Sequence, residues 1–195
     1  MVYIVSFLLG FIFGIIPFSY LIGRIKGVDL KKVGSGNIGA TNLSRSLGIQ
    51  FFILGFILDG VKGLIPVLIA KALFSSGSMA AAGAIIGHIF NPFFGFKGGK
   101  GVSTTIGVAI GLIPRSFFIS IIIWLGIYLI TYLVSLASII FAVVLPLVAI
   151  TLQDGKPLDR IFAFIIALFI IYAHRTNIKR LLHRKEPKTI FWRKK

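Results

Sequence analysis

The stretch Ser116–Leu152, SFFISIIIWLGIYLITYLVSLASIIFAVVLPLVAITL, runs for 37 residues without one charged side chain. As a single helix it would be roughly 56 Å long, nearly twice the ~30 Å hydrocarbon core of a bilayer. It therefore reads as two spans, with the break near Thr131–Ser138, where hydroxyl side chains cluster. Adjacent apolar spans decide the class: an all-α, polytopic membrane protein, because apolar runs of spanning length recur along the chain. Composition agrees, with 57% of the 195 residues hydrophobic and a mean hydropathy of +1.00. A single domain over residues 1–195 is expected.

Towards the N-terminus, the outline continues with an apolar segment over Val2–Gly23, kinked near one end by Pro17. A long polar loop, Arg24–Gln50, leads to a second segment, Phe51–Phe74. The short loop Ser75–Ser78 precedes a third segment, Met79–Phe90. Then comes Asn91–Gly101, N-P-F-F-G-F-K-G-G-K-G, and a fourth segment, Val102–Ile113, stopped by Pro114. Towards the C-terminus, Asp154-Gly155-Lys156-Pro157 is a turn. A seventh segment, Leu158–Ala173, follows it, and His174 opens a basic tail to Lys195. The first segment does not read as a cleaved signal peptide, since it lacks a positive leader and an Ala-x-Ala site and is too long.

The third and fourth segments are short: about 12 residues of helix rise only ~18 Å. Either the helices extend into the loop between them, or that loop dips below the membrane surface. Irregular backbone at depth is tolerated only where protein buries it or where it lines a wet cavity. Short, glycine-interrupted segments of this kind point to binding sites.

The chain has 21 Lys and Arg against five Asp and Glu, for a net charge of +16. Seven spans place 16 of the cations on one side (five in Arg24–Gln50, two in Asn91–Gly101, nine from Arg175 onward) and four on the other. Lys62 lies within the second segment. The positive-inside rule then puts the N-terminus outside and the C-terminal tail in the cytoplasm. The two polar loops, the Ser135/Ser138 turn and the tail all converge on the cytoplasmic face. With no cysteine, disulfides, thiolate catalysis and cysteine metal sites are excluded. No carboxylate pair or His/Asp/Glu cluster has ligand spacing, so no metal and no cofactor are expected.

Residues 34–45 combine three glycines with Ser35, Asn37, Thr41, Asn42 and Ser44, and end on Arg45. Backbone N–H groups, hydroxyls and a guanidinium fork suit a phosphate. A flexible loop of turn residues is the plain alternative. In Asn91–Gly101, Lys97, Gly98, Gly99, Lys100 and Gly101 bring two ammonium groups and bare backbone N–H groups towards an anion. This is not a Walker A loop, because Gly101 stands where Ser or Thr is required. His88 and Asn91, at the end of the third segment, read equally as hydrogen-bonded structure or as site residues. Asp59 and Lys62 share one helix face, as an internal ion pair or with Lys62 in the site. Ser135 and Ser138 either cap the sixth segment towards an anion or pack between helices. In the tail, an amphipathic basic face on anionic lipid accounts for the lysines and arginines but not for His174, Asn177 or Glu186. No His is followed five residues later by Asp; those positions are Phe93, Lys179 and Lys188.

Taken together these stretches resemble one family. Ser35–Asn42 with Arg45, then Gly87-His88-x-x-Asn91-Pro92 with Phe96–Gly101, then His174-Arg-x-Asn177-Ile-x-Arg180 with Glu186-Pro187 are similar to three signature motifs. They are those of the bacterial acyl-phosphate-dependent glycerol-3-phosphate acyltransferases, the PlsY family. Asp59-Gly-x-Lys62-Gly63 and Ser135-x-x-Ser138 fit its pattern too. The resemblance implies acyl transfer from acyl-phosphate to the sn-1 hydroxyl of glycerol 3-phosphate, releasing lysophosphatidic acid and phosphate. It further implies the first step of phospholipid synthesis in the bacterial inner membrane, and seven spans with an outside N-terminus. By the same resemblance Ser35 and Arg45 handle the donor and the developing charge, and His174 and Asn177 position substrate. Lys97–Gly101 holds glycerol 3-phosphate, Asn37, Thr41, Asn42, Lys62, His88, Asn91, Ser135, Ser138 and Arg180 join the binding site, and Glu186 supports it.

Two other readings compete. A small-anion transporter would share the spans and the basic vestibule but needs a path to the outer face. A membrane anchor whose tail binds lipid or nucleic acid leaves the two polar loops without a role. The expected partners are therefore acyl-phosphate, glycerol 3-phosphate, phosphate and membrane lipids, with no nucleic acid.

Overall fold

Proline and glycine cut the apolar sequence into ten α-helices in the computed structural model, which describes residues 1–191. Arg193, Lys194 and Lys195 of the basic tail lie outside the described residues. The helices are α1 (Val2–Gly14), α2 (Phe18–Ile25), α3 (Ala40–Leu47), α4 (Ile49–Phe74) and α5 (Ser78–Ile89). They continue as α6 (Val102–Leu112), α7 (Pro114–Thr131), α8 (Val134–Thr151), α9 (Pro157–Ala173) and α10 (Arg175–Leu182). No strand occurs among the described residues.

The break expected in the long apolar run falls at Tyr132-Leu133, where Tyr132 adopts a left-handed conformation with φ of 58° and ends α7. Four stretches are long and apolar enough to cross a bilayer: Val2–Ile25, Ile49–Phe74, α7 and α8. A fifth arises if α9 and α10, bent by 60°, form one broken span, and α5 and α6 are shorter apolar helices. Two elements exceed the expected outline. The polar loop contains α3, flanked by Gly39 and Gly48, and the tail contains α10. Both are eight-residue helices with one apolar side, a pattern too short to separate from loop by periodicity.

Pro17 interrupts the first span, since proline has no N–H and its ring excludes the preceding turn. The Ile15 and Ile16 carbonyls at this break would be costly if left unpaired in hydrocarbon. Side chains from two other elements satisfy them. Asn91 donates its amide to the Ile15 carbonyl at 2.7 Å. Lys62, midway along α4, donates its ammonium to the Ile16 carbonyl at 2.5 Å. Asp59 neutralises Lys62 at 2.9 Å and accepts the Ser19 hydroxyl at 2.6 Å, with both members of the pair almost fully buried. The loop after α5 is thereby held level with the break in the first span. α5 and α6 do not extend into this loop: α5 ends at Ile89 and α6 starts at Val102, and only the ends of the loop, at Asn91 and at Gly99 and Gly101, are buried in the bundle.

Elsewhere small residues let helices touch. α1 packs along α5, with Gly10 against the Ala80 backbone and Gly14 against that of Ala84. α6 meets α4 through Gly107 on the Gly60 carbonyl. Val67, Ile85, Ile106, Phe141, Leu145 and Ile170 fill the space between α4, α5, α6, α8 and α9. At the end of the bundle away from Lys62 and the polar loops, Asp154 accepts both the N–H and the hydroxyl of Ser116 at 2.8 Å, capping α7. Asp159 takes the Ser78 hydroxyl, and Lys71 reaches the Gly111 carbonyl at 2.9 Å. The Asp154–Pro157 turn is therefore a helix cap as well as a turn.

Lys62→Met leaves Asp59 buried without its cation and the Ile16 carbonyl without its donor. Removing one partner of such a pair costs about 3–5 kcal/mol. The expected result is a marked fall in the thermal unfolding midpoint in detergent, and an unchanged midpoint would contradict the role given to the pair.

Candidate functional site

The first polar loop is shaped by one buried side chain. Asn42, in the first turn of α3, accepts the Ser35 N–H through Oδ1 at 2.9 Å. Its amide nitrogen reaches the carbonyls of Leu30, Val33 and Asn37 at 2.9–3.0 Å. Asn37 in turn accepts the Gly39 N–H. The loop is thus pinned from inside while Ser35 stays exposed, and Arg45 follows three residues after Asn42 on the same face of α3.

The second loop folds back on the end of α5. Gly98 donates to the Ile89 carbonyl at 2.9 Å and Gly99 to that of His88 at 3.1 Å. A Cβ at Gly98 would collide with the His88 and Ile89 carbonyls, and one at Gly99 with the His88 imidazole. Gly101, at φ 82°, turns the chain into α6. This corrects the sequence expectation for the loop. The N–H groups of Gly98 and Gly99 are spent on α5 instead of facing an anion, so its glycines serve close backbone approach and its lysines carry the charge.

The third part comes from the end of α9. His174 caps that helix, and its Nδ1 lies 2.8 Å from the Ile170 carbonyl. A carbonyl only accepts, so Nδ1 carries the hydrogen. Asn177 lies buried on α10 and donates to Glu186 at 2.6 Å, while its Oδ1 has no hydrogen-bond partner among the described residues. Glu186 also accepts Arg180 Nε at 2.6 Å and the Ser135 hydroxyl at 2.8 Å. One carboxylate therefore ties α8, α10 and the tail together. Ser138 donates to the Val134 carbonyl and accepts Trp124 Nε1 at 3.2 Å.

Two cavities share Ser35, Asn37 and Lys100. One carries Arg45, His88, His174, Asn177 and Glu186, and its wall adds Phe52 and Phe56 of α4 with Trp124 of α7. Thr41, Asn42, Gly101, Ser135 and Ser138 also line it. The other, with a volume of about 280 Å³, is bordered by Lys97, Gly98, Gly99, Arg175 and Arg180. Lys62 and Asn91 line neither; their polar atoms are engaged at the helix break. Asn42 lines the first, but its amide is occupied with its own loop. Sequence reading left out the aromatic wall and Asp59, which also faces this cavity. Phe52, Phe56 and Trp124 look like any lipid-facing aromatic until the helices are assembled.

Arg45, Lys100 and Arg180 crowd one carboxylate. Burial lowers the Lys100 ammonium from its ordinary 10.5 to about 8; Glu186 opposes this and Arg180 and Arg45 add to it. Burial likewise lowers Arg45, with Glu186 opposing. Burial works against ionisation of Glu186, yet the hydrogen bonds from Arg180, Asn177 and Ser135 outweigh it and its pKa falls below 4.5. Burial, reinforced by Lys100, takes His174 down to about 3, against the pull of the Ile170 carbonyl and Glu186. The imidazole is neutral near pH 7, and the surrounding cations favour an anionic ligand. No group of three or more His, Cys, Asp or Glu residues that could hold a metal ion occurs among the described residues.

The family model of glycerol-3-phosphate acyltransferase matches residues 4–184. A glycerol-3-phosphate acyltransferase of Aquifex aeolicus is 45% identical over 184 residues, covering 90% of this chain and 93% of that one. Two crystal structures of PlsY (YgiH), an integral membrane glycerol 3-phosphate acyltransferase, are also similar. Its glycerol 3-phosphate form superposes with a TM-score of 0.91 at 39% identity, over 96% of each chain. Its lysophosphatidic acid form gives 0.89 at 38%, over 97% of this chain and 96% of the other.

Because the fold lowers the Glu186 pKa, its stabilisation is fully present above 4.5 and is lost as pH falls through the depressed value. Glu186→Gln should lower the unfolding midpoint at neutral pH and flatten the acid side of the stability profile. A thermal melt series from neutral pH to below 4.5 reads both.

Proposed function

The chain belongs to the glycerol-3-phosphate acyltransferase family, and from that premise we propose that it transfers a fatty acyl group from acyl-phosphate to the sn-1 hydroxyl of glycerol 3-phosphate. The products are 1-acyl-glycerol 3-phosphate (lysophosphatidic acid) and inorganic phosphate, and the reaction opens phospholipid synthesis. The observation that carries this reading is the pair of cavities meeting at Ser35 and Lys100, one with an aromatic wall and the other bordered by cations. Both substrates carry phosphate, but only the donor carries a lipid chain. The cationic cavity suits glycerol 3-phosphate, and the aromatic one suits the acyl end of the donor.

In this reading the hydroxyl oxygen attacks the acyl carbon of the mixed anhydride. The new ester C–O bond forms, the bond to the phosphate oxygen breaks, and phosphate leaves. Arg45, Lys100 and Arg180 stabilise the negative charge on the transferring group and the departing phosphate. Ser35 orients the donor. Asn177 Oδ1, buried and unpaired among the described residues, is an acceptor suited to a glycerol hydroxyl. A phosphate with a second pKa near 6 takes the hydroxyl proton. His174, lowered to about 3, is a weak base and serves to position.

The chain crosses the bacterial inner membrane seven times, with α5 and α6 as short spans and α9 as the last. By sequence, sixteen Lys and Arg fall in the two polar loops and the C-terminal tail against four in the opposite loops, which supports an outside N-terminus and a cytoplasmic site. A transporter is disfavoured because the polar groups gather at one end, while Asp154–Ser116 and Asp159–Ser78 tie helices together at the other.

The direct test supplies purified protein in detergent with acyl-phosphate and glycerol 3-phosphate, without divalent metal, and measures lysophosphatidic acid. No product, or strict dependence on acyl-CoA or acyl carrier protein, would sink the proposal. Lys100→Ala should raise the KM for glycerol 3-phosphate more than that for acyl-phosphate; the reverse would exchange the roles of the two loops. The free Lys100 ammonium loses its proton as pH rises through about 8. Accordingly kcat/KM for glycerol 3-phosphate should fall about tenfold per pH unit above that point. Lys100→Arg should move the fall to higher pH. His174→Ala and His88→Ala should each retain measurable single-turnover chemistry, and losses approaching about 10⁴-fold in either would assign the proton to that imidazole.

A further inference from the structure

Beyond α10 the chain doubles back as a strap, from Glu186 to Phe191, and its middle residue meets the site. Thr189 is buried, and the hydrogen bonds of its backbone and side chain reach three places. Its N–H donates to the Tyr132 carbonyl at 2.9 Å, at the left-handed break between α7 and α8. Its carbonyl accepts the Tyr128 hydroxyl at 2.9 Å. Its own hydroxyl oxygen accepts Arg45 Nη2 at 3.0 Å. Two residues on, Phe191 lies between Phe52 of α4 and Tyr128 of α7, with ring centroids 4.3 and 5.3 Å away. Three residues before Thr189, Glu186 anchors the strap to Ser135, Asn177 and Arg180.

We propose that Thr189 is a positioning residue for the acyl-transfer reaction, holding the Arg45 guanidinium on the donor side of the cavity through the strap. The proposal rests on the role given to Arg45 above. Arginine has a long side chain with many rotamers, on a helix of only eight residues. A misplaced donor loses much of its effect on a developing charge, because stabilisation depends on preorganisation. The Thr189 backbone is fixed by two hydrogen bonds, one to the Tyr132 carbonyl and one from the Tyr128 hydroxyl, so its β-branched side chain offers Arg45 a well-placed acceptor. It uses one of the five N–H donors of the guanidinium and introduces no competing charge. Thr189 lies beyond residues 4–184, which the family model matches, and no sequence motif marks it.

Thr189→Val keeps the shape and both backbone hydrogen bonds and removes only the hydroxyl; Thr189→Ser restores it. In the acyl-phosphate assay, Thr189→Val should lower kcat about tenfold, equivalent to about 1.4 kcal/mol of barrier. The KM for glycerol 3-phosphate should stay within about twofold, and Thr189→Ser should recover activity to within about twofold of wild type, since the lost interaction belongs to the donor side. In an Arg45→Lys background the valine substitution should add little, because both changes remove the same interaction. Should the valine not be accommodated, Thr189→Ala repeats the measurement. An unimpaired Thr189→Val enzyme, a serine variant as impaired as the valine, or an undiminished valine effect in the Arg45→Lys background each overturns the proposal. An Arg45→Lys enzyme as active as wild type overturns the role of Arg45 and this one with it. A chain that makes no lysophosphatidic acid at all overturns the functional reading first.

Discussion

The break that Pro17 imposes on the first span is the constraint from which the site follows. A helix interrupted within hydrocarbon exposes carbonyls that lipid cannot solvate, so the protein must bring donors to them. It brings Lys62 from α4 and Asn91 from the end of α5, and it buries Asp59 to balance the ammonium. Satisfying two carbonyls thus locks three elements to one point. The chain leaving α2 carries Ser35 and Arg45, and the loop leaving α5 carries Lys97 and Lys100. Both start from that locked point, and they face each other across the cavities.

Charge is treated in opposite ways at the two levels. Below the site, Lys62 and Asp59 are matched one to one, as a buried pair must be to limit its desolvation cost. Around the cavities, Arg45, Lys100 and Arg180 share the single carboxylate Glu186. Glu186 accepts hydrogen bonds from α8 and α10 and orders the cations without cancelling them. Burial first, and the neighbouring Arg180 and Arg45 second, leave Lys100 easier to deprotonate than a surface lysine. The phosphate of glycerol 3-phosphate, the family's substrate, is of the sign that such an excess of cations favours.

Much of the outline is legible in the chain because apolar length and proline or glycine punctuation are local signals. The break inside Ser116–Leu152, the short α5 and α6 and the grouping of the polar loops all follow from such signals. The site is legible to the extent that its residues sit in compact motifs: Ser35 to Arg45, Lys97 to Gly101, His174 to Glu186. Their detailed roles are less so. Gly98 and Gly99 look like anion-binding backbone, yet their N–H groups bond to α5, because only a residue without Cβ passes the His88 ring and carbonyl so closely. Asn42 has the chemistry of a ligand-binding amide and is spent on four backbone groups of its own loop.

The amino-acid sequence by itself determined the membrane class, the long apolar helical segments, the uneven distribution of charge along the chain and the family motifs. Each is written in runs of neighbouring residues. Only the tertiary structure decided that Lys62 and Asn91 hold a helix break, that Phe52, Phe56 and Trp124 wall one cavity, and that Thr189 meets Arg45 across 144 positions of the chain. The physical reason is that these are contacts between groups distant in sequence. Which groups meet is decided by how the helices pack, and no local pattern records that choice.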